Sequence, residues 1–255
     1  MLLSALLLCI AVIILVLLYR REVGRRLQVE RSSAVRDLHL TQLLKEKEWL
    51  LSEINHRVKN NLQIMISLLN SQEFFLKDPE ALEAIRNSQR RLHVMSLAYQ
   101  KVYEPEHPSD IDMNLYISEL VDYLRGEYQT DTNINFNLQI DNVFLPVTTA
   151  VPLGMIINEA FSNSLRYAFP LTVDGEIEIK FLCNEQDGCF KLMISDNGVG
   201  LPQNFKQDEM QSLGTSLMLG LSKQLKGDLQ FKNEDGLAVI VEFTNLKPET
   251  TEPLN

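Results

Sequence analysis

Residues 53–63 read EINHRVKNNLQ, inside a longer stretch from Leu51 to about Lys77 whose apolar residues return every three or four positions. Ile54, Val58, Leu62, Met65, Ile66 and Leu69 fall on one stripe of a helix. His56 is two residues from both Ile54 and Val58, roughly 200° around that helix, so it points away from the stripe. Its face companions Ser52, Glu53, Lys59, Asn60, Gln63 and Ser67 are all polar. An exposed imidazole, neutral near pH 7, is a competent nucleophile. A lone histidine is ordinarily just a surface residue, and His39, His93 and His107 are read that way; the string around His56 sets it apart.

Downstream, Asp78-Pro79 supplies an N-cap and a proline at the first helical position. A second helix follows, with Leu82, Ile85, Leu92, Met95, Tyr99 and Val102 as its apolar face, ended by Pro105 and Pro108. Two helices alone cannot bury so wide a stripe. A second copy would close a four-helix bundle, so residues 51–104 are expected to form a homodimerising hairpin.

Residues 108–245 have a different pattern. A short helix is expected over 112–125, stopped by Gly126, and then a strand in which Ile134, Phe136, Leu138 and Ile140 alternate. An Asn-bearing helix follows over about 152–168. Ile177, Ile179 and Phe181 alternate, Asp187-Gly188 turns the chain, and Phe190, Leu192 and Ile194 alternate in return. A polar loop over 199–212 leads to a helix over 214–226 that Gly227 ends; Leu229 and Phe231 begin a strand, and Asp235-Gly236 turns into a last strand over 237–243. The expected class is α+β, with helices packed on one face of a mixed sheet. The tail, 246–255, reads as disordered.

The N-terminus differs in kind. Residues 2–19 carry no charge, and 18 residues of helix span roughly 27 Å, close to a bilayer's hydrocarbon core. Arg20, Arg21, Arg25, Arg26 and Arg31 follow. This predicts a transmembrane helix over 1–19 in the cell membrane, single-pass, with the catalytic part in the cytoplasm after a helical linker over 20–50. A cleaved signal peptide fits less well, lacking a basic start and a small-residue cleavage site. The net charge of −10 argues against nucleic acid as a partner, because phosphate contacts need clustered Lys and Arg. The three cysteines have no CxxC spacing, so neither zinc nor a redox pair is indicated.

Three segments of the second unit carry chemistry. In NEAFSNSLRYAF, Glu159 and Asn163 are four apart and share a helix face. Mg²⁺ takes one or two hard oxygen ligands from protein, so Asn163 is the expected metal ligand, with Glu159 acting on the metal or its water. Asn158, roughly 140° out of line, is a weaker candidate, and Arg166 is placed to meet a phosphate. In DNGVG, the Asp196 carboxylate can accept a hydrogen bond from an exocyclic amino group, while Gly198 and Gly200 let backbone approach a ligand. In SLGTSLM, Gly214 and Thr215 open a helix whose N-terminal amides can hold phosphate. There is no GxxxxGK[ST] loop.

EINHRVKNNLQ, continuing through the hairpin to about Tyr103, resembles the phosphoacceptor segment of sensor histidine kinases of the subgroup with Arg after the histidine. The three later segments, in this order, resemble the ATP-binding domain shared by histidine kinases, gyrase, Hsp90 and MutL proteins. The resemblance implies that His56 is phosphorylated from ATP, that the phosphoryl group passes to an aspartate of a response regulator, that Asp196 meets adenine and Asn163 holds Mg²⁺, and that 199–213 is a lid. Arg57 stands where commoner relatives carry an acidic residue, which leaves Glu53 to orient the ring. Asn60 sits where related kinases place a residue that helps hydrolyse the phosphorylated regulator. Only Gly214 stands where many relatives have a GxG pair in the lid. A nucleotide-binding scaffold and a conformational ATPase of the Hsp90 or MutL type are the other readings.

Overall fold

The computed structural model describes residues 2–102, 110–128, 134–169, 174–184, 186–201, 212–233 and 235–244, leaving aside the side chains of 2–12, 27 and 29. His107, the expected stops at Pro105 and Pro108, the middle of the expected lid and the tail from 246 lie outside the described residues. The chain divides into two compact units, Met1–Glu53 and Ile54–Asn255.

Helix α1 runs over Leu2–Glu73. In the first unit its described side chains are almost all exposed. Among the described residues no helix is long and apolar enough to cross a membrane. This corrects the expected transmembrane helix.

The second unit begins with the end of α1 and turns into α2 (Pro79–Lys101). Asp78 caps α2, its carboxylate accepting from the Glu80 N–H at 3.4 Å. Arg86 donates to Glu73 at 2.8 Å and Gln89 to Asn70 at 2.8 Å, pinning the two helices beside the turn. The face of α2 differs from the expected one. Leu82, Ile85, Leu92, Met95 and Tyr99 are only half-buried, whereas Val94, Leu97 and Ala98 are buried. These three, with Val102, also recur at helical spacing, and they enter the same core as the helices that follow.

A two-stranded antiparallel ribbon pairs β1 (Asp110–Asp112) with β3 (Phe144–Pro146). Between them lie α3 (Met113–Glu127) and β2 (Ile134–Ile140). Asp112 caps α3 by accepting from the Asn114 and Leu115 N–H groups at 2.9 and 3.1 Å. Gly126 does not stop this helix; it lies in the last turn, and Tyr128 closes it by donating to the Leu124 carbonyl. Helix α4 (Val147–Asn163) starts five residues earlier than expected, with Pro152 inside it. Pro152 fits a first helical turn by residue type, but Pro146 is the N-cap. Every residue from Pro152 to Ser162 is buried, Asn158, Glu159 and Ser162 among them, so α4 is the central helix.

The main sheet has the order β2-β4-β5-β7-β6, with β4 (Gly175–Asn184), β5 (Cys189–Asp196), β6 (Asp228–Asn233) and β7 (Leu237–Thr244). Strands β2 and β4 are parallel and the other pairs antiparallel. Helix α5 (Leu213–Gln224) lies against α4. Leu153, Ile156, Ile157 and Phe161 of α4 share one core with Ile177, Ile179 and Phe181 of β4 and Leu192 and Ile194 of β5. Strand β5 alternates, and its buried set is Phe190, Leu192, Ile194 and Asp196. The two-residue period therefore carries a carboxylate onto the helix-covered face at the end of the strand.

Candidate functional site

Asp196 is 6% exposed, and its carboxylate is fixed from three sides. Oδ1 accepts from the Gly198 N–H at 3.1 Å and the Leu237 N–H at 3.2 Å; Oδ2 accepts from the Ser164 hydroxyl at 2.6 Å. The loop after Asp196 is held as firmly. The Val199 N–H donates to the Ala168 carbonyl at 2.9 Å, and Asn197 exchanges bonds with the backbone of Glu176. Gly198 lies against Ala168, where a Cβ would come 2.4 Å from the carbonyl oxygen. At Gly236, with φ +120°, a Cβ would stand only 1.9 Å from the Asp196 carbonyl oxygen, so the β6–β7 turn can approach β5 only with glycine there.

The last turns of α4 bring the partner residues. Past Asn163 the helix widens into a π-helical turn, Ser164–Ala168, an irregularity frequent at functional sites. Asn163, Ser164, Tyr167, Ala168, Asp196, Gly200 and Leu237 line one small cavity of about 70 Å³. Asn163 and Asp196, expected from sequence to act on one ligand, thus meet.

Glu159, Asn158 and Arg166 are placed differently from the expectation. Arg91 of α2 grips Glu159 with two bonds, Nε to Oε1 at 2.8 Å and a terminal nitrogen to Oε2 at 3.0 Å. Asn158 donates to the same carboxylate at 3.1 Å, and Gly214 sits against it, where a Cβ would come 2.7 Å from Oε2. Arg166 donates to Glu83 and Asn87 of α2 and to the Tyr128 hydroxyl, and its guanidinium lies over the Tyr128 ring. Glu159 and Arg166 are therefore committed to the hairpin helix, because buried charges take the nearest opposite partner. Beside them, His93 of α2 stacks on Tyr123 of α3 at 3.7 Å; burial lowers the imidazole's pKa and pushes the phenol up to about 12. At α5, Ser212 is the N-cap and accepts from the Thr215 N–H at 3.2 Å, so that amide is already engaged.

His56 is exposed on α1, and the Asn60 amide group lies 3.3 Å from its Nδ1. An amide can donate through nitrogen or, turned over, accept through oxygen; in the second arrangement Nδ1 carries the proton and Nε2 presents its lone pair to solvent. Glu53 is half-buried on the same helix, in the first unit.

Sequence reasoning passes over Ser164 and Arg91, and reads Asp235-Gly236 as a turn without its contact with Asp196. Ser164 is adjacent to Asn163, and that adjacency is the signal that could have found it. Arg91 comes from distant chain, and no local pattern marks it.

Residues 53–128 match the family described as histidine kinase, and residues 148–248 the family described as histidine kinase-, DNA gyrase B-, and HSP90-like ATPase. Sensor histidine kinase PdtaS of Mycobacterium tuberculosis is 28% identical over 199 residues, 76% of this chain and 39% of the relative. Blue-light-activated histidine kinase 2 of Erythrobacter litoralis is 24% identical over 188 residues, covering 70% and 52%. This chain thus spans well under two thirds of the curated relatives it matches. Among solved structures, the histidine kinase domain of the Erythrobacter litoralis EL346 blue-light activated histidine kinase aligns with a TM-score of 0.57 at 18% identity, over 72% of this chain and 95% of that one, a likeness of fold.

Proposed function

The chain belongs to the histidine kinases, and from that premise we propose that it phosphorylates His56 from ATP and passes the phosphoryl group to an aspartate of a response-regulator partner. The observation that carries the reading is the fixed Asp196 carboxylate sharing a cavity with Asn163 in a chain that also exposes His56. An ionised carboxylate has about four acceptor positions; three are taken, and the fourth suits the exocyclic amino group of adenine. That residual acceptor is the fit between these residues and a nucleotide.

Asn163 would hold Mg²⁺ by its side-chain oxygen, with phosphate and water as the other ligands. Bound there, the metal supplies neutralisation of charge on the transferring phosphoryl group. The residues of the chain do the rest. Asp196 orients the base. With the Asn60 amide turned over, so that its oxygen and not the nitrogen now 3.3 Å from Nδ1 faces the ring and accepts from it, Nε2 of His56 is the nucleophile. Its lone pair forms the N–P bond as the bond between the γ-phosphorus and the bridging oxygen breaks and ADP leaves; the Nδ1 proton is then shed to water. A carboxylate oxygen of the regulator's aspartate next attacks phosphorus, and the N–P bond breaks as Nδ1 takes a proton from water, so that neutral imidazole leaves.

The exposed apolar residues of α1, Ile54, Ile64, Met65 and Leu68, provide a seam for a second copy, and we take the working unit as a homodimer. The test is transfer. Protein labelled from γ-labelled ATP and freed of nucleotide should lose its label to an added receiver protein, and His56→Ala should have no label to give. ATP binding without label would mark a scaffold, and steady hydrolysis without phosphohistidine a conformational ATPase; either result rejects the kinase reading.

A further inference from the structure

Ser164 follows the expected metal ligand directly, yet its side chain faces the other end of the site. Its hydroxyl donates to Asp196 Oδ2 at 2.6 Å, the length of a charge-assisted O–H···O⁻ bond. Ser164 is 7% exposed and Asp196 6% exposed, and both line the same cavity. The carboxylate cannot donate, so the hydroxyl proton must lie on the Ser164 side. With Oδ1 holding two backbone N–H groups and Oδ2 holding Ser164, the carboxylate plane is fixed and one acceptor position on Oδ2 remains. The π-helical turn makes this meeting of α4 and β5.

We propose that Ser164 is a positioning residue for nucleobase selection: it orients the Asp196 carboxylate so that the remaining acceptor meets the 6-amino group of a purine. This deepens the nucleotide-site reading and rests on it. The two backbone donors fix Oδ1 alone and leave the carboxylate able to rock about it; among the described residues, the serine alone fixes Oδ2. Removing the hydroxyl leaves the carboxylate in place but aims it poorly. Binding of a base bearing the amino group then weakens, while a base without that group loses nothing.

The experiment compares ATP with purine riboside triphosphate, which lacks the 6-amino group, by titrating each into the full chain and into Ser164→Ala, Ser164→Thr and Asp196→Asn. A charge-assisted hydrogen bond corresponds to about tenfold or more in affinity, and the wild type should prefer ATP by at least that. Ser164→Ala should bind the analogue as the wild type does, while its preference for ATP falls about tenfold toward parity. Ser164→Thr, which keeps the hydroxyl, should retain the preference. Unchanged analogue binding separates lost positioning from misfolding, since a misfolded site would lose both ligands. A full ATP preference in Ser164→Ala, with Asp196→Asn defective, would overturn the role of Ser164 and leave the site reading standing. A wild type that does not tell the two triphosphates apart would overturn both.

Discussion

At the scale of single residues, the site depends on groups whose chemistry leaves no alternative. Asp196 must be an acceptor, because every neighbour that touches its carboxylate donates. Gly236 must lack a side chain, because the turn that supplies the Leu237 N–H comes within contact of the Asp196 backbone. Gly236→Ala should therefore cost about 1–3 kcal/mol of stability from its positive φ and push the turn off β5. ATP affinity should drop several-fold with it, measured by denaturant unfolding and by titration; unchanged affinity would mean that the turn does not support the site. That Asn163 and Asp196 belong to one site was legible in the sequence because each stands in a short motif, and the two line one cavity. The true partners of Glu159 and Arg166 were not, since their competing charges lie on a helix more than sixty residues away in the chain.

At the scale of elements, α2 joins the hairpin to the sheet domain through buried Val94, Leu97 and Ala98 and through contacts that include the Arg91–Glu159 pair and the His93–Tyr123 stack. The Arg91–Glu159 pair is partly buried, between the roughly 0–1 kcal/mol of an exposed pair and about 3–5 for breaking a buried one. Arg91→Ala should lower stability by about 2 kcal/mol, and Arg91→Met with Glu159→Gln should recover most of it, both read from urea midpoints; no loss in the single variant would discount the contact. The His93–Tyr123 stack makes the same junction sensitive to pH. Burial depresses the imidazole's pKa, so the unfolded chain binds this proton more readily than the folded one. Its contribution is whole above the unfolded value of about 6.5 and falls away as pH drops through that value toward the lowered one. His93→Phe should flatten this part of the stability–pH profile, and an unchanged slope would assign it elsewhere. The strands were readable from their two-residue alternation, and Asp78 from its cap. The face of α2 was not. It carries two apolar stripes, and periodicity cannot say which one the distant α3 and α4 will cover.

At the scale of the whole molecule, the chain combines an exposed histidine, a buried carboxylate and an exposed apolar seam. Leu68 is 62% exposed on that seam, so Leu68→Asp should yield monomers by light scattering while ATP binding is retained; a dimer that survives would place the interface elsewhere. The helical hairpin and the mixed sheet could be read from sequence. The apolar N-terminal run misled, because composition alone proposed a membrane span that no described helix is long and apolar enough to form. The proposed function stands on His56 receiving phosphate from a nucleotide read by Asp196. The deciding experiment incubates the wild type, His56→Ala and Asp196→Ala with Mg²⁺ and γ-labelled ATP, then maps the label by mass spectrometry under neutral conditions. Phosphohistidine is expected at His56 in the wild type, with none in His56→Ala and strongly reduced label in Asp196→Ala. Label persisting on another residue of His56→Ala, or a wild type that binds ATP and stays unlabelled, would refute the proposed function.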